Sequence, residues 1–213
     1  MDMTNTEKKL HITDLGCIRH HKPLFTKLSF QLKASDLLLV EGPNGSGKSS
    51  LLRLLTGISS PSEGEIYWQG NKIQHVQAEY RSNLHYIGHA NGIKLGLTVI
   101  ENLQLATHLS LSTAEPNYGD VLTQLQLSAD KHTPATYLSA GQKRRLALAK
   151  LLLFPKILWI LDEPLTALDV DTQALFLLHL ATHLQNGGMS IISSHHPIHF
   201  KNVAVTTLRL KSC

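Results

Sequence analysis

Gly42-Pro43-Asn44-Gly45-Ser46-Gly47-Lys48-Ser49 is an unbroken G-x-x-x-x-G-K-[ST] run, and its flanks decide what it is for. The five residues before it, 37–41, are four apolar side chains closed by an acid. A short continuous run of that kind predicts a strand buried on both faces. After it, residues 49–56 read as a helix that stops at Gly57. Strand, glycine loop and helix, in that order, is the context in which this motif holds a phosphate. Glycines let successive main-chain N–H groups turn inward as an anion nest, and the helix start adds its positive end. Lys48 is then placed to reach the β- and γ-phosphates, and the Ser49 hydroxyl to hold Mg2+.

Further along, the pattern repeats strand then helix. Residues 84–88, 157–161, 189–193 and 203–210 read as strands, and 139–154 and 171–184 as helices. Alternating βα units imply a mainly parallel sheet covered by helices. The first third has another period. Residues 10–15, 24–32 and 65–69 alternate apolar and polar positions like half-buried strands, the last closed by a Gly70-Asn71 turn. Between 94 and 134 the spacing of Val99/Leu103 and Val121/Leu122/Leu125 is helical, with Pro116 separating two helices. The expectation is one α/β domain over 1–213, with an N-terminal antiparallel β portion and an inserted helical subdomain at 94–134.

Two further stretches carry chemistry. The run 157–161 ends in Asp162 and Glu163, two acids at the carboxyl end of a strand, where open α/β sheets bind ligands. Asp162 suits Mg2+, and Glu163 suits orienting or deprotonating an attacking water. Leu138-Ser139-Ala140-Gly141-Gln142 opens a helix whose first turns hold Lys143, Arg144 and Arg145. Ser139 is a good N-cap, yet cations in a first turn oppose the helix dipole. A helix start exposing N–H groups, a serine and a glycine is fit to grip a phosphate.

Composition narrows the classes. No apolar run approaches the roughly 18 residues of a membrane span; the nearest, 146–161, is broken by Lys150, Pro155 and Lys156. The opening MDMTNTEKKL has charge without a following apolar segment, which predicts no secretory signal. Cys17 and Cys213 stand at opposite ends and read as reduced thiols. The histidine clusters His20-His21 and His195-His196-x-x-His199 lack zinc spacing and cysteine partners. A net charge of +4 without a basic run interleaved with aromatics argues against nucleic acid as a partner.

With these motifs in this order, the chain resembles the nucleotide-binding subunits of ATP-binding cassette (ABC) systems, a P-loop NTPase fold, from about residue 10 to 196. The resemblance implies ATP and Mg2+ as ligands, with nucleotide contacts from residues 42–49 and Ser50. It implies that Ser139 and Gly141 of one subunit cap the γ-phosphate held by a second copy, in a homodimer formed with ATP. Thr166-Ala167-Leu168-Asp169 resembles the family's D-loop, which puts Asp169 at that seam. His195 matches the switch histidine that touches the γ-phosphate and Glu163. Lys48, Glu163 and His195 are thus the implied catalytic set. Two positions depart from the pattern. His89 stands where the family has a glutamine that contacts Mg2+ and senses the membrane subunit, and its charge can change near neutral pH. The aromatic adenine platform is replaced by Arg19, or by Ile18 if the register slips by one.

Glu41-Gly-Pro-Asn-Gly, Trp68-Gln-Gly, Tyr86-Ile-Gly-His-Ala-Asn-Gly-Ile-Lys94 and Trp159-Ile-Leu-Asp-Glu-Pro are similar to the ATP-binding subunits of bacterial cytochrome c maturation complexes, the CcmA type. In that group too a histidine takes the glutamine's place. This likeness implies a peripheral subunit at the cytoplasmic face of the bacterial inner membrane. Its implied partners are an integral membrane permease subunit, a haem-handling membrane protein and a haem chaperone. ATP hydrolysis would drive haem export or release of the haem-loaded chaperone. Two alternatives stay open on sequence: another ABC exporter subunit for lipid, drug or peptide, and a non-transport ABC ATPase acting on DNA or ribosomes. The second usually carries a coiled-coil insertion or a second cassette, neither of which is visible here.

Overall fold

The computed structural model describes residues 9–110, 116–195 and 204–211. Strand β1 (Lys9–Arg19) turns back antiparallel into β2 (Lys22–Lys33), and β3 (Leu37–Glu41) feeds the glycine loop and α1 (Lys48–Leu55). Strands β4 (Glu63–Trp68) and β5 (Asn71–Lys72) complete a four-stranded antiparallel sheet of order β2-β1-β4-β5. A short helix α2 (Gln77–Ser82) precedes β6 (Leu84–Ile87). Next come α3 (Val99–Leu109), α4 (Tyr118–Gln124), a 3-10 turn at Ala135–Tyr137 and α5 (Ala140–Leu153). The chain closes with β7 (Leu158–Asp162), α6 (Val170–Gln185), β8 (Met189–Ser194) and β9 (Val205–Arg209). Strands β6-β7-β8-β3-β9 form a second sheet in which every pairing is parallel.

The period-two alternation of β3 shows how the layers are held. Leu38 and Val40 face a core shared with Leu51, Leu52, Leu54 and Leu55 of α1 and with Leu10, Ile12, Ile66 and Trp68 of the antiparallel sheet. Leu37 and Leu39 face the other way, onto Leu148 and Leu151 of α5 and Phe176, Leu180 and Leu184 of α6. A strand covered on both faces has no polar side to show, which is why 37–41 reads as a continuous apolar run. A third cluster joins Val99 and Leu103 of α3, Val121 and Leu122 of α4, and Leu146, Ala149 and Leu153 of α5. Thr98 and Ser139 each cap their helix in a reciprocal box, with Glu101 and Gln142 returning the bond.

Several boundaries differ from the sequence pattern. β1 and β2 run past 10–15 and 24–32 because His20 and His21 both adopt left-handed φ, 49° and 61°, and so close a tight hairpin that pairs Arg19 with Lys22. The turn after β4 is Gln69-Gly70, both left-handed, one residue earlier than expected. Helix α2 has no counterpart in the sequence reading. The final strand begins at Val205; residue 203, His196, His199 and Cys213 lie outside the described residues.

Buried histidines make this fold acid-sensitive. Burial of His85 pushes its imidazole down to about 4 from 6.5, against the opposing effect of its Nε2–H bond to the Phe154 carbonyl, 2.7 Å. His179 and His183 are lowered by burial as well, the latter stacked on Trp159 with ring centroids 3.9 Å apart. The unfolded chain takes up these protons near pH 6.5 and the folded chain only lower down, so stability present above that pH is lost as pH falls. For His85 alone the loss between pH 7 and pH 5 is about 2 kcal/mol. Urea midpoints at the two pH values should therefore converge in His85→Leu relative to the parent. An equal acid loss in both proteins would remove His85 from the account.

Candidate active site

The pieces of the site converge because parallel strands deliver their following loops to one edge. β3, β7, β8 and β6 end there, releasing respectively the glycine loop, Asp162-Glu163, His195 and Gly88-His89. Within the loop Pro43, Asn44 and Gly45 are exposed, while Ser46, Gly47 and Lys48 are buried. Gly47, at φ 97°, lies so close to Leu24 and Phe25 of β2 that a Cβ would sit 3.2 Å from each side chain. Phe25 pairs with Cys17, and Ile18 and Arg19 follow toward the exposed tip of the same hairpin. Ser49 is exposed on the first turn of α1 and Ser50 is half-buried.

Lys48 is only 6% exposed. Its ammonium donates to the carbonyls of Gly42 (2.7 Å) and Pro43 (3.2 Å) and reaches His195 Nδ1 at 3.2 Å. Burial lowers its proton affinity, opposed by the negative charges of Glu163 and Asp162. An ammonium has no lone pair to offer, so Nδ1 is the acceptor and the imidazole proton belongs on Nε2. That nitrogen meets the carboxylate Oε1 of Glu163. Lys48, His195 and Glu163 therefore form one continuous chain.

Asp162 is 2% exposed, and one of its oxygens accepts from Ser193 Oγ at 2.6 Å. The same hydroxyl accepts from the Glu163 N–H at 3.0 Å, so one serine on β8 holds both acids. Glu163 is left-handed, φ 50°, a conformation that costs a non-glycine residue about 1 kcal/mol or more and persists where neighbours impose it. Its other oxygen is 3.4 Å from Thr166 Oγ1. Among the described residues no group of three or more His, Cys, Asp or Glu side chains could hold a metal. Ser49 and Asp162 carry one hydroxyl and one carboxylate, hard-oxygen donors of the kind Mg2+ takes.

The other sequence candidates lie apart from that chain. Ser139 is exposed and caps α5. Gly141 approaches the turn after β7 so closely that a Cβ there would lie 2.9 Å from the Ala167 carbonyl. Asp169 caps α6 through the Thr172 N–H at 2.8 Å, the bond that chiefly holds its carboxyl below the usual range. Neither Ser139 nor Gly141 hydrogen-bonds to Lys48, Asp162, Glu163 or His195 among the described residues. His89 is exposed just beyond β6. Sequence reasoning missed Ser193 and the destinations of the α5 cations. Lys143 donates to the Thr136 carbonyl, Arg145 to those of Leu125 and Gln126, and Arg144 to five oxygens described below. Their conflict with the helix dipole was the available signal: such cations are retained for partners outside the helix.

Comparison with known proteins identifies the family. Residues 25–166 match the family model for ABC transporters. The chain is 43% identical over 198 residues to the cytochrome c biogenesis ATP-binding export protein CcmA of Nitrosospira multiformis, covering 92% of this chain and 96% of that one. It is 49% identical over 185 residues to the protein of the same name from Methylococcus capsulatus, covering 86% and 89%. Among solved structures, a putative ABC transporter ATP-binding protein from Pyrococcus furiosus superposes with a TM-score of 0.79 at 25% identity, over 95% of this chain and 97% of that one. The chain belongs to the ABC transporter ATPase family, and within it to the cytochrome c biogenesis ATP-binding export proteins.

Proposed function

We propose that this ATPase drives its complex by closing as a homodimer around MgATP at the sites built from residues 42–50. The observation that carries the reading is the Lys48–His195–Glu163 chain, with Asp162 beside it at the carboxyl edge of the parallel sheet. Main-chain N–H groups of the glycine loop cradle the β-phosphate, and Lys48 neutralises charge on the β- and γ-phosphates. Ser49 and Asp162 would hold Mg2+, which would neutralise charge on phosphate oxygens. Ser139 and Gly141 of one protomer close over the γ-phosphate held by the other, excluding water and aiming fixed dipoles at the developing charge. Glu163 orients a water and takes its proton as oxygen bonds to the γ-phosphorus and the bond to the bridging oxygen breaks, giving ADP and inorganic phosphate. His195 holds Glu163 in line through its Nε2–H.

Among the described residues no helix is long and apolar enough to cross a membrane. The chain acts as a peripheral subunit on an integral membrane permease at the cytoplasmic face of the inner membrane. There hydrolysis powers haem export or release of a haem-loaded chaperone from a haem-handling membrane protein. His89, in the loop after β6, and the helices α3 and α4 supply the contact to the permease. Pull-down of the tagged chain from its own membranes with a non-hydrolysable ATP analogue tests the assembly. Recovery of a multi-span protein together with haem-handling proteins is expected. An unrelated permease would keep the ATPase and discard haem, and ribosomes or DNA would discard transport.

A further inference from the structure

Arg144 sits in the second turn of α5 and is 4% exposed. A guanidinium has five N–H donors in a rigid plane, and here each one has an oxygen. Nε donates to the Pro164 carbonyl at 3.2 Å. Nη2 donates to the carbonyls of Asp162 (2.7 Å) and Glu163 (2.8 Å). Nη1 donates to the Gly88 carbonyl and to Asn91 Oδ1, both at 3.1 Å. Among the described residues no carboxylate hydrogen-bonds to it or pairs with it. Burial lowers its proton affinity, and the nearby charges of Asp162 and Glu163 work the other way.

A buried cation without a carboxylate is costly, and a helix position that only needed filling would hold a leucine. Geometry explains its presence. Three successive carbonyls, 162 to 164, point at one planar group, which dictates the backbone on both sides of left-handed Glu163. The far end of the same plane grips the two residues that bracket His89 and Ala90. Three segments (the start of α5, the turn after β7 and the loop after β6) thus share one rigid fork. We infer that Arg144 is a positioning residue for hydrolysis, holding the 162–164 backbone so that Glu163 faces His195 and tying that backbone to the loop 88–91. A shift of the loop or a rotation of α5 then moves Glu163. Lysine cannot substitute, because a point charge with three donors cannot span five acceptors.

The inference rests on Glu163 as the water-orienting group, and the test separates the two. In the full chain, Arg144→Lys should lower kcat about 30-fold with KM for MgATP within about threefold, as misplacement of a reacting group does. Amide exchange should quicken about tenfold in 162–168 and in 88–92 together, with 42–50 unchanged. Asn91→Ala should lower kcat less, and should add nothing in the Arg144→Lys background, where its bond is already lost. Unchanged kcat and exchange in Arg144→Lys would overturn the inference. So would faster exchange confined to one segment, or additive effects of the two substitutions. Should Arg144→Lys fail to fold, Asn91→Ala decides alone: faster exchange in 162–168 supports the link, and a change confined to 88–92 refutes it. If Glu163→Gln still turned over, the base assignment would fall while joint exchange of the two segments would still decide the link.

Discussion

Glu163→Gln should bind MgATP as tightly as the parent and hydrolyse it at least about 100-fold more slowly, a general base being worth some 10²–10⁴ in rate. Glutamine keeps the shape and can still accept from His195 Nε2–H through its amide oxygen. Only the basicity and the negative charge go. Loss of that charge removes one repulsion from the triphosphate, so affinity should hold or rise, and the effect should fall on kcat rather than KM. A dimer that closes on ATP and opens on hydrolysis should then accumulate. Size-exclusion chromatography with MgATP is expected to show the variant as a dimer where the parent returns to monomer. Rapid turnover by Glu163→Gln would overturn the assignment, and a silent but monomeric variant would overturn closure by dimerisation.

Lys48→Ala should fail one step earlier. The ammonium is held in place by the carbonyls of Gly42 and Pro43, so it is pre-positioned over the loop that would cradle the phosphates. Removing a buried cation from a phosphate site costs about 3–4 kcal/mol, equivalent to roughly 100- to 1,000-fold in Kd. Calorimetric titration with MgATP checks the affinity, and the thermal stabilisation conferred by ATP should vanish at concentrations that saturate the parent. Lys48→Met keeps the stem volume and separates packing from charge; both variants should lose binding alike. Retention of parental affinity in both would remove Lys48 from the site.

The readable parts of this protein are those whose cause is local. The stretch 37–41 matches β3 because a strand buried on both faces must be apolar throughout, and the glycines that follow mark its end. Ser139 caps α5 as its residue type implies, and Gln142 three positions on completes the box. The first hairpin was under-read because His20-His21 is not a familiar turn pair, and its edge carries Arg19, Lys22 and Pro23 where alternation fades. Helix α2 was missed because it is six residues long with one buried side chain, Tyr80, too few for any periodicity to register. For the site, motif spacing names Lys48, Asp162 and Glu163, and the family resemblance adds His195 and its contact with Glu163; neither says that Lys48 meets His195 or that one serine holds both acids. Arg144 read only as a misplaced cation.

By itself the sequence determined the strand–loop–helix unit, the alternation that makes a parallel sheet, the family, and the residue types that phosphate chemistry requires. The family rests on the resemblance of its motifs, and the others follow from short-range rules: side-chain period, glycine's left-handed freedom, capping and motif spacing. Only the tertiary structure decided that Lys48 meets His195 across 147 residues, that Ser193 holds both acids, and that Arg144 joins carbonyls 18 and 56 residues away. Those partners are set by the strand order β6-β7-β8-β3-β9, which brings four distant loops to one edge. Strand order is a property of the packed core as a whole, and no local period encodes it.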